Sequence, residues 1–276
     1  MKLKADLHLH TTASDGKLTP VELVALAHKE GLNLIAITDH DTTDGVDLAL
    51  SAAENLSIRV IPGIELSTQH NGETVHILGY FKSDNYKDET FQKYLQDMKN
   101  HRIYRGKEMV NRLKEYFDIS LDYERLMKEA KGVIARPHIA RAIIEAGYNY
   151  SWEYIFDKLI GSNSPAYVPN KKLSTEDGIK LLKSVNALVV LAHPVLVKKT
   201  PCEELLKLDF DGMEAIYPLN TEEDTRNFIN LALNKQLLIT AGSDYHGGDA
   251  GDTKHGYIGK VSYEEAYLTE FLKALS

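Results

Sequence analysis

Over residues 1–82, short apolar runs alternate with stretches whose apolar positions recur at helical spacing. This pattern predicts βα units and a largely parallel sheet. Leu34-Ile35-Ala36-Ile37 is apolar at every position, as a strand covered on both faces must be. Thr19-Pro20-Val21-Glu22 predicts a helix start, with Thr19 as cap, Pro20 in the first position and Glu22 closing a capping box; Gly31 supplies the stop. A second helix is expected over 46–55, and strands over 59–61 and 74–80. From 83 to 185 the texture changes to long charged helical periodicities at 89–116, 123–131, 137–146 and 152–160. Strands resume at 187–192, 212–216 and 237–241. The expected organisation is a barrel built from 1–82 and 186–276, interrupted by a helical insertion at 83–185.

Polar residues able to bind metal recur where these strands end, which in α/β barrels is the face that builds active sites. In Asp6-Leu7-His8-Leu9-His10 a strand puts His8 and His10 on one side and turns Leu7 and Leu9 into packing. Thr38-Asp39-His40 closes the second strand. Glu65 follows the third through Pro62-Gly63, His76 rides on the fourth, and His193-Pro194 and Ser243-Asp244-Tyr245-His246 close later ones. Asp15 precedes Gly16 and by itself reads as a turn residue. Asp6 and Asp39 are expected to orient ligating histidines rather than to ligate. Of the 11 histidines, His28, His70, His101 and His255 sit in helical or polar surroundings and are expected to be surface or structural residues.

Composition narrows the partners. The 276 residues carry 32 basic and 40 acidic side chains, a net charge of -8, which disfavours an extended nucleic-acid surface but allows a local basic patch around a phosphate. Carboxylates that bind cations would make the chain less repellent to anions than this charge suggests. The single cysteine, Cys202, excludes an intrachain disulfide and fits a reducing compartment. Met1-Lys2-Leu3-Lys4 leads into the first strand without a signal-like apolar run, and no stretch approaches the ~20 apolar residues of a membrane span. A cytoplasmic protein without membrane contact is expected.

With His8-Leu9-His10, Asp15, Thr38-Asp39-His40, Glu65, His76, His193-Pro194 and Asp244-Tyr245-His246 in this order, the chain resembles the polymerase and histidinol phosphatase (PHP) family. Ala135-Arg136-Pro137-His138 and Ala166-Tyr167-Val168-Pro169 resemble its branch of small stand-alone phosphoesterases. That branch includes nucleoside 3′,5′-bisphosphate phosphatases and relatives that trim short RNA from the 5′ end. The resemblance implies a distorted (β/α)7 barrel with an inserted helical subdomain capping the active site, and two or three divalent ions. His8, His10, Glu65 and Asp244 would hold the first; Glu65 would bridge to a second held with His76 and His193; Asp15, His40 and His246 would hold a third. Imidazole with carboxylate suits Mn, Fe or Zn.

The expected chemistry is hydrolysis of a phosphate ester of a nucleotide or short 5′-phosphorylated oligonucleotide, with nucleoside 3′,5′-bisphosphate as the leading substrate, by attack of a hydroxide that bridges the ions. Catalytic work is expected of Arg136, His138 and His193. Arg136 offers a bidentate fork for phosphate, and Pro137 would start a helix whose amides favour an anion beside Arg136 and His138. His138 would bind phosphate or protonate the leaving oxygen. Competing readings are a histidinol-phosphate-type phosphatase, an amidohydrolase-type metal hydrolase, and a metal- or nucleotide-binding regulatory module without turnover. A polymerase-associated proofreading subunit is a further alternative, disfavoured because the chain supplies neither a polymerase domain nor a long basic groove.

Overall fold

The computed structural model describes residues 3–130, 133–248, 252 and 255–276. Its elements run β1 (Ala5–Leu9), α1 (Pro20–Lys29), β2 (Leu34–Ile37), α2 (Val46–Ala53), β3 (Arg59–His70), β4 (Glu73–Tyr80) and α3 (Glu89–Phe117). They continue with α4 (Tyr123–Glu129), α5 (Arg136–Glu145), α6 (Trp152–Tyr154), α7 (Thr175–Ser184) and β5 (Leu188–Leu191). The last are α8 (Cys202–Leu205), β6 (Gly212–Ile216), α9 (Glu222–Asn234), β7 (Leu238–Ala241) and α10 (Glu265–Leu275). Contacts divide the chain into two units, 1–92 with 173–276, and 93–172.

In the first unit the seven strands pair in sequence order. β1, β2 and β3 are parallel, as are β5, β6 and β7, while β4 runs antiparallel to both its neighbours. A parallel bridge from Leu9 to Tyr245, with the His10 N–H donating to the Tyr245 carbonyl at 3.0 Å, nearly closes the sheet into a distorted (β/α)7 barrel. The distortion has a local cause. Asn71 and Gly72 both take positive φ, the requirement of a two-residue hairpin turn, so the chain doubles straight back into β4 with no helix between. His76, near the start of β4, therefore comes to the same end of the sheet as the C-terminal ends of the parallel strands.

β3 is a continuous strand of 12 residues, longer than the 59–61 expected, because Pro62 and Gly63 do not break it. Pro62 is the last residue paired with β2, opposite Ile37, and its carbonyl accepts the Phe81 N–H at 2.9 Å. Only glycine fits at 63, where a Cβ would fall 2.8 Å from Thr38 Cγ2 and 2.9 Å from the Ile37 carbonyl oxygen. The helix start at Thr19 forms as expected, capping box included. One buried cluster draws Ala5, Leu7, Leu34, Ala36, Ile61, Leu78, Tyr80, Val190 and Ala241 from the strands, with Ile216 of β6 packed against it and Leu268, Phe271 and Leu275 of α10 contributing.

The unit boundaries lie inside the 83–185 expected from sequence texture. Charged residues made α7 look like part of the insertion, yet its buried side, including Ile179 and Leu182, belongs with the sheet. The Thr175 hydroxyl lies 2.8 Å from that of Thr68 on β3, and Leu182 lies against Gly79 on β4. The second unit has its own core, with Met109, Leu113, Leu126, Ile139, Ile143, Ile155 and Leu159 among its members. The helix expected over 152–160 is instead α6 followed by a π-helical turn at Ile155–Leu159. Lys131, the expected end of α4, lies outside the described residues. Among the described residues no helix is long and apolar enough to cross a membrane.

Candidate metal centre

Glu65, midway along β3 and buried, is the group on which the others converge. Its Oε2 lies 3.0 Å from His40 Nδ1 and 3.3 Å from both His8 Nε2 and His10 Nε2. Its Oε1 lies 2.9 Å from His76 Nδ1 and 2.9 Å from His193 Nε2. The backbone explains the meeting. His40 stands just beyond β2 and bridges to Glu65 in parallel, with the Glu65 N–H donating to the Asp39 carbonyl and the Asp41 N–H to that of Glu65.

Two further carboxylates gather the remaining rings. Asp244 Oδ1 lies 3.1 Å from His10 Nε2 and 3.4 Å from His8 Nε2. Asp15 approaches His246 Nε2 at 3.2 Å, His10 Nδ1 at 3.8 Å and His40 Nε2 at 3.9 Å. Among the nine residues expected from the sequence, donor atoms fall within 4.8 Å of one another in three groups: His8, His10, Glu65 and Asp244; His40, Glu65 and His76; and His10, Asp15, His40 and His246. All nine residues expected from the sequence meet here. Asp244 at φ 55° and His193 at φ 23° hold left-handed backbone that side chains disfavour, and such strain gathers at functional sites.

The charges are strongly coupled. Burial pushes the Glu65 carboxyl up, but the imidazoles of His40, His76 and His8 outweigh it and hold the group well below the usual carboxylate range. Burial opposes charge on His8, yet Glu214, Glu65 and Asp244 carry its pKa well above the ordinary value. For His40, burial is likewise overcome, chiefly by Glu65, and the pKa rises to about 9. The carboxylates want positive charge at this place.

Protonated rings do not satisfy the geometry. His8 Nε2, both nitrogens of His10, His40 Nδ1, His193 Nδ1 and Glu65 Oε2 are buried without a hydrogen-bond partner, although several sit at ion-pair distance from one another. The atoms are close but not aligned on each other, as donors are when they share a cation. Buried polar groups left unpaired require such an explanation. Neutral imidazole with carboxylate fits a divalent cation.

Four supporting residues were not foreseen. Glu214 on β6, fully buried, receives His8 Nδ1 at 3.0 Å and the His193 backbone N–H at 2.9 Å, so it fixes one ring and the loop that carries another. The Tyr217 hydroxyl donates to Asp244 Oδ2 at 2.9 Å. Gly242 makes room for both sides of the closure, since a Cβ there would run into His8 Cβ and Glu214 Oε1. The fourth is His255, which stacks on His246 with ring centroids 4.1 Å apart instead of standing alone at the surface.

The expectation that Asp6 and Asp39 orient histidine rings is not met. Asp6 receives the backbone N–H groups of Ser243 at 2.9 Å and Gly259 at 2.8 Å, tying the end of the chain to β1. Asp39 receives the Thr11 N–H, the Thr11 hydroxyl and the Ser14 hydroxyl, which shapes the loop bearing Asp15. Both carboxylates sit where backbone amides reach them first. Arg136 and His138 open α5 in the second unit. The guanidinium lies over the Phe156 ring at 5.7 Å, and His138 Nδ1 accepts the Ala135 N–H at 3.1 Å, leaving Nε2 as its outward atom. Burial, followed by the charge of Arg141, lowers the His138 pKa.

A mixed seven-stranded barrel whose strand ends focus imidazoles and carboxylates on one buried acid defines a metal-dependent hydrolase. The chain belongs to the PHP domain family, whose model matches residues 6–187, and it is a metal-dependent phosphoesterase. It is 32% identical over 255 residues to a 5′-3′ exoribonuclease of Haemophilus influenzae, covering 89% of this chain and 91% of that protein. It is 30% identical over 263 residues to a 3′,5′-nucleoside bisphosphate phosphatase of Chromobacterium violaceum, covering 90% and 91%. Its fold is similar to that of a metal-dependent phosphoesterase from Bifidobacterium adolescentis, with a TM-score of 0.75 and 29% identity over 99% of this chain and 97% of that one.

Proposed function

We propose that the chain hydrolyses a phosphate ester of a nucleotide, with nucleoside 3′,5′-bisphosphate as substrate and release of its 3′-phosphate. The observation that carries this reading is the set of orphaned, buried donors around Glu65, in a chain 30% identical to a phosphatase of that specificity. The proposed allocation is two or three divalent ions of Mn, Fe or Zn: one with His8, His10, Glu65 and Asp244, one with Glu65, His76 and His193, and one with Asp15, His40 and His246. Divalent cations in such a site acidify water from a pKa of about 15.7 to about 7 and neutralise phosphate oxygens. The chain's own groups do the positioning. Glu214 and Tyr217 hold His8 and Asp244 in place, and His193 is kept on Glu65 by its own strained turn.

We assign to Arg136 and His138 the grip on a substrate phosphate. Support comes from the bidentate fork of guanidinium and from the amides at the start of the ten-residue α5. A second reading, removal of nucleotides from the 5′ end of short RNA, draws on the likeness to the Haemophilus exoribonuclease. The single cysteine supports a cytoplasmic location.

The test strips the protein with chelator and reloads it with Mn, Zn or Fe. It then measures phosphate or nucleotide release from nucleoside 3′,5′-bisphosphate, a 5′-phosphorylated oligoribonucleotide and histidinol phosphate. The expected result is metal-restored turnover, fastest on the bisphosphate. Faster turnover on the oligonucleotide selects the second reading, and no release from any of them with any metal overturns both.

A further inference from the structure

His255 belongs to none of the nine positions assigned above, yet it is built into their edge. Its ring lies on that of His246, with centroids 4.1 Å apart and 28° between planes. Its Nδ1 faces Asp252 Oδ2 at 3.1 Å, and its backbone N–H donates to Asp252 Oδ1 at 3.3 Å. Asp252 itself is seated over Gly248, where an added Cβ would fall 2.8 Å from the Asp252 Cβ. A carboxylate at Nδ1 keeps the proton there and frees Nε2 as a lone-pair donor, the arrangement by which proteins orient ligating histidines. His246 is handled in the same way, its Nδ1 lying 2.8 Å from the Asp244 carbonyl oxygen.

Donor atoms of Asp244, His246 and His255 fall within 4.8 Å of one another. We infer that these three residues form a rim cation site, with Asp252 fixing the ring of His255. The inference rests on the metal-binding reading of the neighbouring groups. Two imidazoles and one carboxylate select a divalent ion of the Mn, Co or Zn kind over Mg or Ca, which prefer oxygen alone. A neutral imidazole serves one cation at a time. The shared His246 therefore makes the rim group an alternative seat for the cation of the Asp15 group, at a place where the side chain of His255 is 27% exposed.

The experiment counts cobalt per chain by equilibrium dialysis of the full, chelator-stripped protein. It compares Asp15→Ala with Asp15→Ala/His255→Phe and Asp15→Ala/Asp252→Asn, with circular dichroism as the check on folding. Phenylalanine keeps a ring on His246 but removes the donor. The expected result is that Asp15→Ala retains a cobalt ion beyond those of the buried groups, and that either second substitution weakens it by at least about tenfold. If the His255→Phe double variant binds cobalt as the single variant does, or if Asp15→Ala already holds none beyond the buried groups, the rim site is overturned. Because the readout is metal content, failure of the proposed phosphatase activity would leave this result standing, and the reverse also holds.

Discussion

Two groups in this centre use the same chemistry and share His10, yet they are supported in opposite ways. His8, His10, Glu65 and Asp244 are all buried, rest on or beside strands, and are held from behind by Glu214 and Tyr217. His10, Asp15, His40 and His246 meet at the edge, and the Asp15 side chain there is 57% exposed on a loop that Asp39 braces through Thr11 and Ser14. His10 faces the first group with Nε2 and the second with Nδ1. Ligand type is therefore not what separates them. Desolvation strengthens every electrostatic interaction in the buried group, while water and mobility dilute those at the edge. The difference predicts one firmly held part of the centre and one that exchanges its cation.

The comparison can be broken most forcefully at its centre. Glu65→Gln keeps the shape but removes the charge that five histidines approach, so turnover should fall by at least about a thousandfold, several kcal/mol of transition-state stabilisation. Metal analysis should show loss from the buried group in the same variant; retained metal and retained rate would contradict the convergence on Glu65. Glu214→Gln touches no proposed cation directly. It should weaken the buried group's cation by about 10- to 100-fold in chelator competition with little change at the edge, and equal weakening of both would erase the distinction between them. Asp15→Ala should act least on the buried group: one cation loosens by about tenfold while the firmly held metal stays at its original stoichiometry. Loss of all metal in that variant would make the two groups one cooperative unit.

Much of the buried group was legible because strand ends leave marks in sequence. His8 and His10 alternate with apolar residues, and Asp244 and His246 follow an apolar run, so their placement needed only the period of a strand. Glu214 left no such mark. Gly212-Met213-Glu214-Ala215-Ile216 reads as an ordinary strand, and the partner that gives its carboxylate meaning is 206 residues away. Asp6 and Asp39 were misread for the same reason in reverse, since backbone amides of Ser243, Gly259 and Thr11 reach them only in the closed barrel. His255 looked like a surface histidine because its neighbours in sequence are polar, whereas its neighbour in space is His246. The register shift in β1 between Asp6 and Leu9 could not be seen either, because a bulge is defined by the strand opposite.

The bond between Asp6 and the far end of the chain has a consequence for how the protein is made. Asp6 waits for amides 237 and 253 positions downstream, and Leu9 bridges to Tyr245. During synthesis His8 and His10 emerge well before Asp244, which stands 236 and 234 positions after them. Such long-range closure is slow, because loop entropy must be overcome before its contacts form. The complete centre consequently forms only once the strand end bearing Asp244 and His246 has been made, and a product truncated before it keeps the histidines around Glu65 but lacks both of these groups.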